Sequence, residues 1–302
     1  MASPGAEQDK PSTPGAVAGE ELIARARSNE PLVPLDSAEQ IQYRTYRRRW
    51  FGLVQLALLN IIVSWDWLTY SPVVNDAAAF FSTSPSTVNW LATSFLFSFA
   101  VAAPFTLYAL YNHSPKVSFV TASVLILAGN WVRYGGTRAS PPSYGAVMFG
   151  QILSGLGQPF VLTAPTTYSE LWFSPRGRVS ATAITSLANP LGAALGQVVN
   201  PIFVSGPQNI PDMTLYVAII SSVACIPSFF VPAAPPTPVA PSLSPGHDDL
   251  GMMDEVKSLL GSSSFWLIFV PFSVYLGFFN SFSSLLAQIL TPYGYSVSES
   301  HF

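Results

Sequence analysis

The chain has 302 residues, 49% of them hydrophobic and only 10% charged, with a formal net charge of -3, and its mean hydropathy is +0.38. Ordinary soluble domains carry about a quarter charged residues, so that class is excluded, and nothing in the charge balance fits a nucleic-acid partner. The single cysteine, Cys225, rules out an intramolecular disulfide and a cysteine-built metal centre.

Residues 1–43 are rich in Pro, Ala, Ser, Glu and Gly without an apolar period, and read as a disordered cytosolic tail. Within it, Glu20-Glu21-Leu22-Ile23 is either a sorting signal or a solvated helical turn. Arg44, Arg47, Arg48 and Arg49 then precede Trp50 to Val74, a segment long enough to cross a ~30 Å bilayer core as a helix. Basic residues gather at the cytoplasmic ends of spans, which places the N-terminus in the cytosol. Near the far end of the span stand Trp65, Asp66, Trp67 and Tyr70. Polar and amphipathic groups at that depth face a protein interior or a water-filled cavity, because lipid is costly for them.

The second span is expected from Val88 to Tyr111 and the third from Val117 to Gly135. Arg133 to Arg138 reads as an outer loop, the only one with basic residues. Tyr144 to Tyr168 is the fourth span, and Glu170, Arg176 and Arg178 follow on the cytoplasmic side. The fifth span, Val179 to Val204, holds Gly192 and Gly196, a small-xxx-small pattern read as tight helix packing. Met213 to Val231 completes a bundle of six over residues 44–231.

Residues 232–264 form a Pro/Ser-rich stretch, read as a flexible cytosolic linker. Its His247-Asp248-Asp249 run reads as a solvated turn, since three adjacent residues cannot converge as metal ligands do. Phe265 to Leu290 is a seventh span, and residues 291–302 are an outer-side tail. Six spans, a linker and one more match the start of a secondary transporter built from two six-helix halves. The expectation is an all-α polytopic membrane protein: the N-terminal half of a facilitator-type transporter, with 3+3 inverted repeats, plus the first helix of the second half. Five further spans found past Phe302 would establish truncation, and this chain alone is not expected to transport.

Several short stretches carry a resemblance. Tyr46-Arg47-Arg48-Arg49-Trp50 and Trp67-Leu68-Thr69-Tyr70-Ser71 resemble the first helix of the feline leukaemia virus subgroup C receptor-like transporters, a branch of the major facilitator superfamily. Asn89-Trp90-Leu91 is similar to their second-helix D-W-L. Gly150-Gln151, Gln158-Pro159-Phe160-Val161-Leu162 and Trp172-Phe173 look like their fourth helix and its exit. Asn189-Pro190-Leu191-Gly192 with Gly196 resembles the fifth, and Ser284-Leu285-Leu286-Ala287-Gln288 the seventh.

The resemblance implies movement of a small amine-bearing solute by alternating access: choline or ethanolamine for the best-understood relatives, with haem or vitamin-like cargo for others. It implies an aromatic cage centred on Trp67, a solute-facing Gln158, and seventh-helix positions at Asn280 and Gln288. Asn280 stands where relatives place a cage tyrosine, and Asn89 where they often carry Asp.

Read from the residues alone, Trp67 and Tyr70 at i, i+3 share a helix face and suit a quaternary ammonium, whose attraction is to ring faces. The other reading is that both aromatics simply pack against neighbouring helices. Three roles are open to Asp66: attracting a cation, exchanging a proton, or sitting neutral in a hydrogen bond. The working expectation is that it tunes the site or carries a proton while Trp67 touches the solute. An enzyme finds no support, since His113, His247 and His301 fall in loops or a tail and no nucleophile or metal spacing is present. No cofactor or metal is expected; the expected partners are the bilayer and a small-molecule substrate. Two further readings are a non-transporting regulatory fragment and a seven-span receptor, which would put the N-terminus outside, against the arginine cluster.

Overall fold

In the computed structural model, α1 runs from Arg48 to Trp67, a stretch of Leu, Ile, Val and Phe with no internal proline. It stops seven residues before the expected Val74. Thr69 Oγ1 turns back to donate to the carbonyls of Trp65 and Asp66 at 3.2 and 3.1 Å. The structure describes residues 44–239, 252–290 and Tyr293. The expected tail 1–43, the His247-Asp248-Asp249 run and residues 291–302 apart from Tyr293 lie outside the described residues.

The short loop expected after the first span contains a helix, α2 (Val74–Phe80). α3 (Pro85–Asn112) opens on Ser84, whose hydroxyl accepts from the Thr87 N–H at 3.2 Å, with Pro85 in the first helical position. α4 (Pro115–Arg138) carries through the segment expected as an outer loop. Gly136 does not end it, because the helix there lies directly on α5 (Tyr144–Leu162), with the Gly136 Cα facing Ala146 and Val147. α5 breaks at Thr163, between Pro159 and Pro165, and resumes as α6 (Ala164–Trp172).

Next comes α7 (Pro175–Ile202), then a 3-10 turn at Pro207–Asn209 and α8 (Ile210–Cys225), prolonged by a second 3-10 turn to Phe230. The stretch expected as a linker holds a ten-residue helix, α9 (Met252–Gly261), in which Val256, Leu259 and Leu260 recur at helical spacing. α10 (Ser263–Leu290) follows. Among the described residues there is no strand, as expected for an all-α chain.

Among the described residues, six segments are long and apolar enough to cross a membrane: Arg48–Trp67, Pro85–Leu110, Pro115–Arg138, Tyr144–Trp172, Pro207–Phe230 and Ser263–Leu290. α7, the expected fifth span, is not among them. Its 28 residues reach about 42 Å at 1.5 Å per residue, but Thr182, Thr185, Ser186, Asn189, Gln197 and Asn200 make it more polar. Those groups have work inside the bundle, since Thr185 and Asn200 are fully buried.

α1 lies at the centre. Leu56, Leu59, Val63 and Trp67 pack with Phe95, Ile126, Val161, Tyr168 and Trp172 from α3, α4, α5 and α6. α7 approaches α1 so closely that a Cβ on Gly192 would collide with the Ile61 backbone, so the pattern read as tight packing is that. One end of the bundle holds the start of α1 and the α6–α7 turn; the other, the α2 end, holds the starts of α3, α5 and α8.

Candidate solute site

α1 ends inside the bundle, since the following Leu68 and Thr69 are fully buried. A helix terminus leaves four carbonyls without partners, and burial makes each costly unless a donor reaches it. Here side chains from α4 and α5 are the donors. Arg133 Nη1 donates to the Asp66 carbonyl at 3.1 Å, while Gln151 Nε2 donates to the same carbonyl at 3.0 Å and to that of Trp67 at 3.3 Å. A guanidinium also suits the negative end of the helix dipole.

The same guanidinium holds the Asp66 carboxylate. Arg133 Nη2 donates to Asp66 Oδ1 at 2.8 Å, with neither side chain exposed. Asn130 Nδ2 donates to Oδ2 at 2.6 Å, and Ser221 Oγ of α8 lies 3.5 Å from Oδ1. Arg133 further donates to Gln151 Oε1 at 2.7 Å and to Asn130 Oδ1. Three helices, α1, α4 and α8, therefore meet on one neutralised carboxylate, and α5 reaches the carbonyl beside it. Asn200 of α7 ties in the next turn, accepting from Trp65 Nε1 at 2.8 Å and donating to the Thr69 carbonyl at 3.0 Å.

This geometry corrects one expectation. Arg133 is not an outer-loop residue but the buried counter-ion of Asp66, which is not left unpaired. Arg138 does reach the surface, where it pairs with Asp212 at the start of α8 at 2.9 Å. Both arginines that ran against the charge asymmetry thus have aspartate partners.

The other candidates are placed as follows. Trp67, 4% exposed, sits in the main apolar cluster, and its indole Nε1 is buried without a hydrogen-bond acceptor. Tyr70 does not share its face, because α1 has already ended. It packs in a second cluster with Val73, Val74 and Met213, its hydroxyl 3.2 Å from Thr214 Oγ1. Gln158, 6% exposed, lies one turn before Val161 of the Trp67 cluster. Asn280 is partly exposed on α10, its carbonyl accepting from Ser284 Oγ at 2.9 Å. Gln288 is engaged with Asn89, each amide donating to the other at 3.0 and 3.2 Å.

Asn130, Arg133, Gln151 and Ser221 were not recognised from sequence as parts of this site. The available signal was Asn130 and Arg133 at i, i+3 in an apolar run, the spacing that puts two polar groups on one helix face.

Known proteins resemble this chain in sequence and in fold. The Major Facilitator Superfamily profile matches residues 56–302. Solute carrier family 49 member A3 of Danio rerio is 32% identical over 289 residues, covering 91% of this chain and 61% of the relative. The choline/ethanolamine transporter FLVCR1 of Felis catus is 25% identical over 260 residues, covering 82% of this chain and 46% of the relative. The chain spans about half the length of the curated relatives it matches. A crystal structure of a bacterial homolog to the human lysosomal transporter Spinster aligns with a TM-score of 0.63 at 15% identity, covering 85% of this chain and 58% of that one. With a family profile covering most of its length and a matching helical fold, this chain belongs to the Major Facilitator Superfamily.

Proposed function

We propose that the chain supplies the N-terminal half of a twelve-helix transporter that moves a small amine-bearing solute of the choline or ethanolamine type by alternating access, with its N-terminus in the cytosol. The observation that carries the solute class is Trp67: a large ring at the broken end of α1, with a buried indole N–H lacking an acceptor. An unpartnered buried donor costs about 1–3 kcal/mol, and a solute hydroxyl would supply the acceptor while the ring face attracts its ammonium. The relatives support the class, since one named for choline and ethanolamine matches 82% of this chain. The pairing of Arg133 and Arg138 with aspartates supports the orientation, because the other basic side chains among the described residues lie towards the Arg48 end.

The test is equilibrium binding of radiolabelled choline and ethanolamine to the purified chain in detergent, for the native protein and Trp67→Ala. Saturable binding weakened at least tenfold by Trp67→Ala is expected. Binding of neither amine, or equal binding by the variant, would reject the assignment.

A further inference from the structure

α10 touches the bundle over a short stretch only. From Ser263 to Phe282 its side chains are exposed or nearly so, with Leu267 at 78% and Phe278 at 71%, and burial begins only at Ser283 to Gln288, where Ala287 falls to 8%. Polar bonds hold that stretch in place. The Asn89 and Gln288 amides exchange both of their hydrogen bonds, at 3.2 and 3.0 Å. Gln197 of α7 donates to the Ser283 carbonyl at 2.7 Å. Asn89 lies one turn into α3, Gln197 near the last turn of α7, and Gln288 near the end of α10, all at the α2 end.

We propose that the Asn89–Gln288 pair, backed by Gln197, is a latch that closes the α2 end of the protein, so that Gln288 acts as a gating residue and not as a solute ligand. The proposal rests on the transporter reading and not on any particular solute. A side-by-side amide pair commits one N–H and one carbonyl lone pair of each partner to the other, so Gln288 is held by Asn89 in this arrangement. It also forms only at one relative position of the two helices, because both bonds need the amide planes aligned. Sliding or tilting α10 by a few ångströms breaks both bonds at once, which makes the contact two-state. Together with the Gln197–Ser283 bond, the pair helps set where α10 stands against α3 and α7.

The experiment is a spin-label distance measurement on the full chain in lipid nanodiscs without solute. Labels are placed at the exposed positions Ser86 and Leu290 through Ser86→Cys and Leu290→Cys, with the buried Cys225 left unlabelled. The parent should give a dominant short distance. Gln288→Ala should raise the ratio of separated to closed protein about three- to twenty-fold, the range for one interhelical polar contact in a membrane. The exchange Asn89→Gln/Gln288→Asn keeps two facing amides and their summed length, and should restore the parent distribution. Unchanged distances in Gln288→Ala, or an exchanged pair as open as Gln288→Ala, would overturn the proposal. Because no solute is added, a failure of amine binding leaves this result standing.

Discussion

Removing the Arg133 side chain is the most informative perturbation of this protein. The guanidinium has no exposure and reaches Asp66 Oδ1, Asn130 Oδ1, Gln151 Oε1 and the Asp66 carbonyl. Arg133→Met therefore leaves a buried carboxylate without a counter-ion and frees part of the α1 terminus. Breaking a buried pair from one side costs about 3–5 kcal/mol. At about 2–4 °C per kcal/mol for a protein of this size, the melting temperature in detergent should fall by roughly 6–20 °C. Asp66→Asn removes the opposite charge and should cost a comparable amount, since Arg133 is then stranded. The double variant Asp66→Asn/Arg133→Met restores neutrality and keeps the Gln151 cap on the Asp66 and Trp67 carbonyls. It should be less destabilised than the sum of the singles by at least about 2 kcal/mol, within the range of coupled neighbours. Single variants that melt with the parent, or a double variant additive to within about 0.5 kcal/mol, would refute the claim that these groups form one unit.

Gly192→Ala should destabilise by about 1–3 kcal/mol, because the new methyl meets the Ile61 backbone, whereas Gly135→Ala, with open space at its Cβ, should be neutral or slightly stabilising in the same melting assay. Trp65→Phe strands the buried Asn200 Oδ1 and should cost about 1–3 kcal/mol, read from the same curves. Cys225, fully buried, should resist maleimide labelling in the folded protein and react after denaturation; rapid labelling of the native chain would contradict the packing of α8 on α4.

The apolar runs placed six of the seven expected spans among the described residues, all but the more polar α7, because a lipid-crossing helix is apolar along most of its length. Their ends were another matter. The Trp50 segment reads as continuous to Val74, yet α1 stops at Trp67 because its terminal carbonyls find donors on α4 and α5. Those donors are distant in sequence, so no local pattern announces the stop. Arg133 was misread for a related reason. Beside Gly135 and Gly136 a basic residue looks like a loop, and only the three-dimensional approach of α4 to α1 supplies the aspartate that lets it stay buried. α9 was masked by its surroundings, a Pro/Ser-rich stretch whose composition outweighs a ten-residue amphipathic pattern. Trp67 was legible as a buried aromatic near a polar group, but its separation from Tyr70 was not, since the i, i+3 rule holds only while the helix continues.

The pairing of Asp66 narrows what the first helix can offer a cationic solute. A free carboxylate in a buried site would attract any ammonium over several ångströms, with little regard to shape. Here that charge is cancelled at 2.8 Å, and Asn130 and Ser221 sit on the carboxylate oxygens as well. What remains on α1 includes the Trp67 ring with its unpartnered N–H and the unpartnered Asn60 Oδ1. Ring faces act at short range, at about 0.5–2 kcal/mol per contact, so selection would come from fit and not from charge. On the amine proposal, a neutral isostere of choline with carbon in place of nitrogen should bind only modestly more weakly, about twofold to thirtyfold by that scale. A loss of several hundredfold would mean that a carboxylate, not the indole, carries recognition.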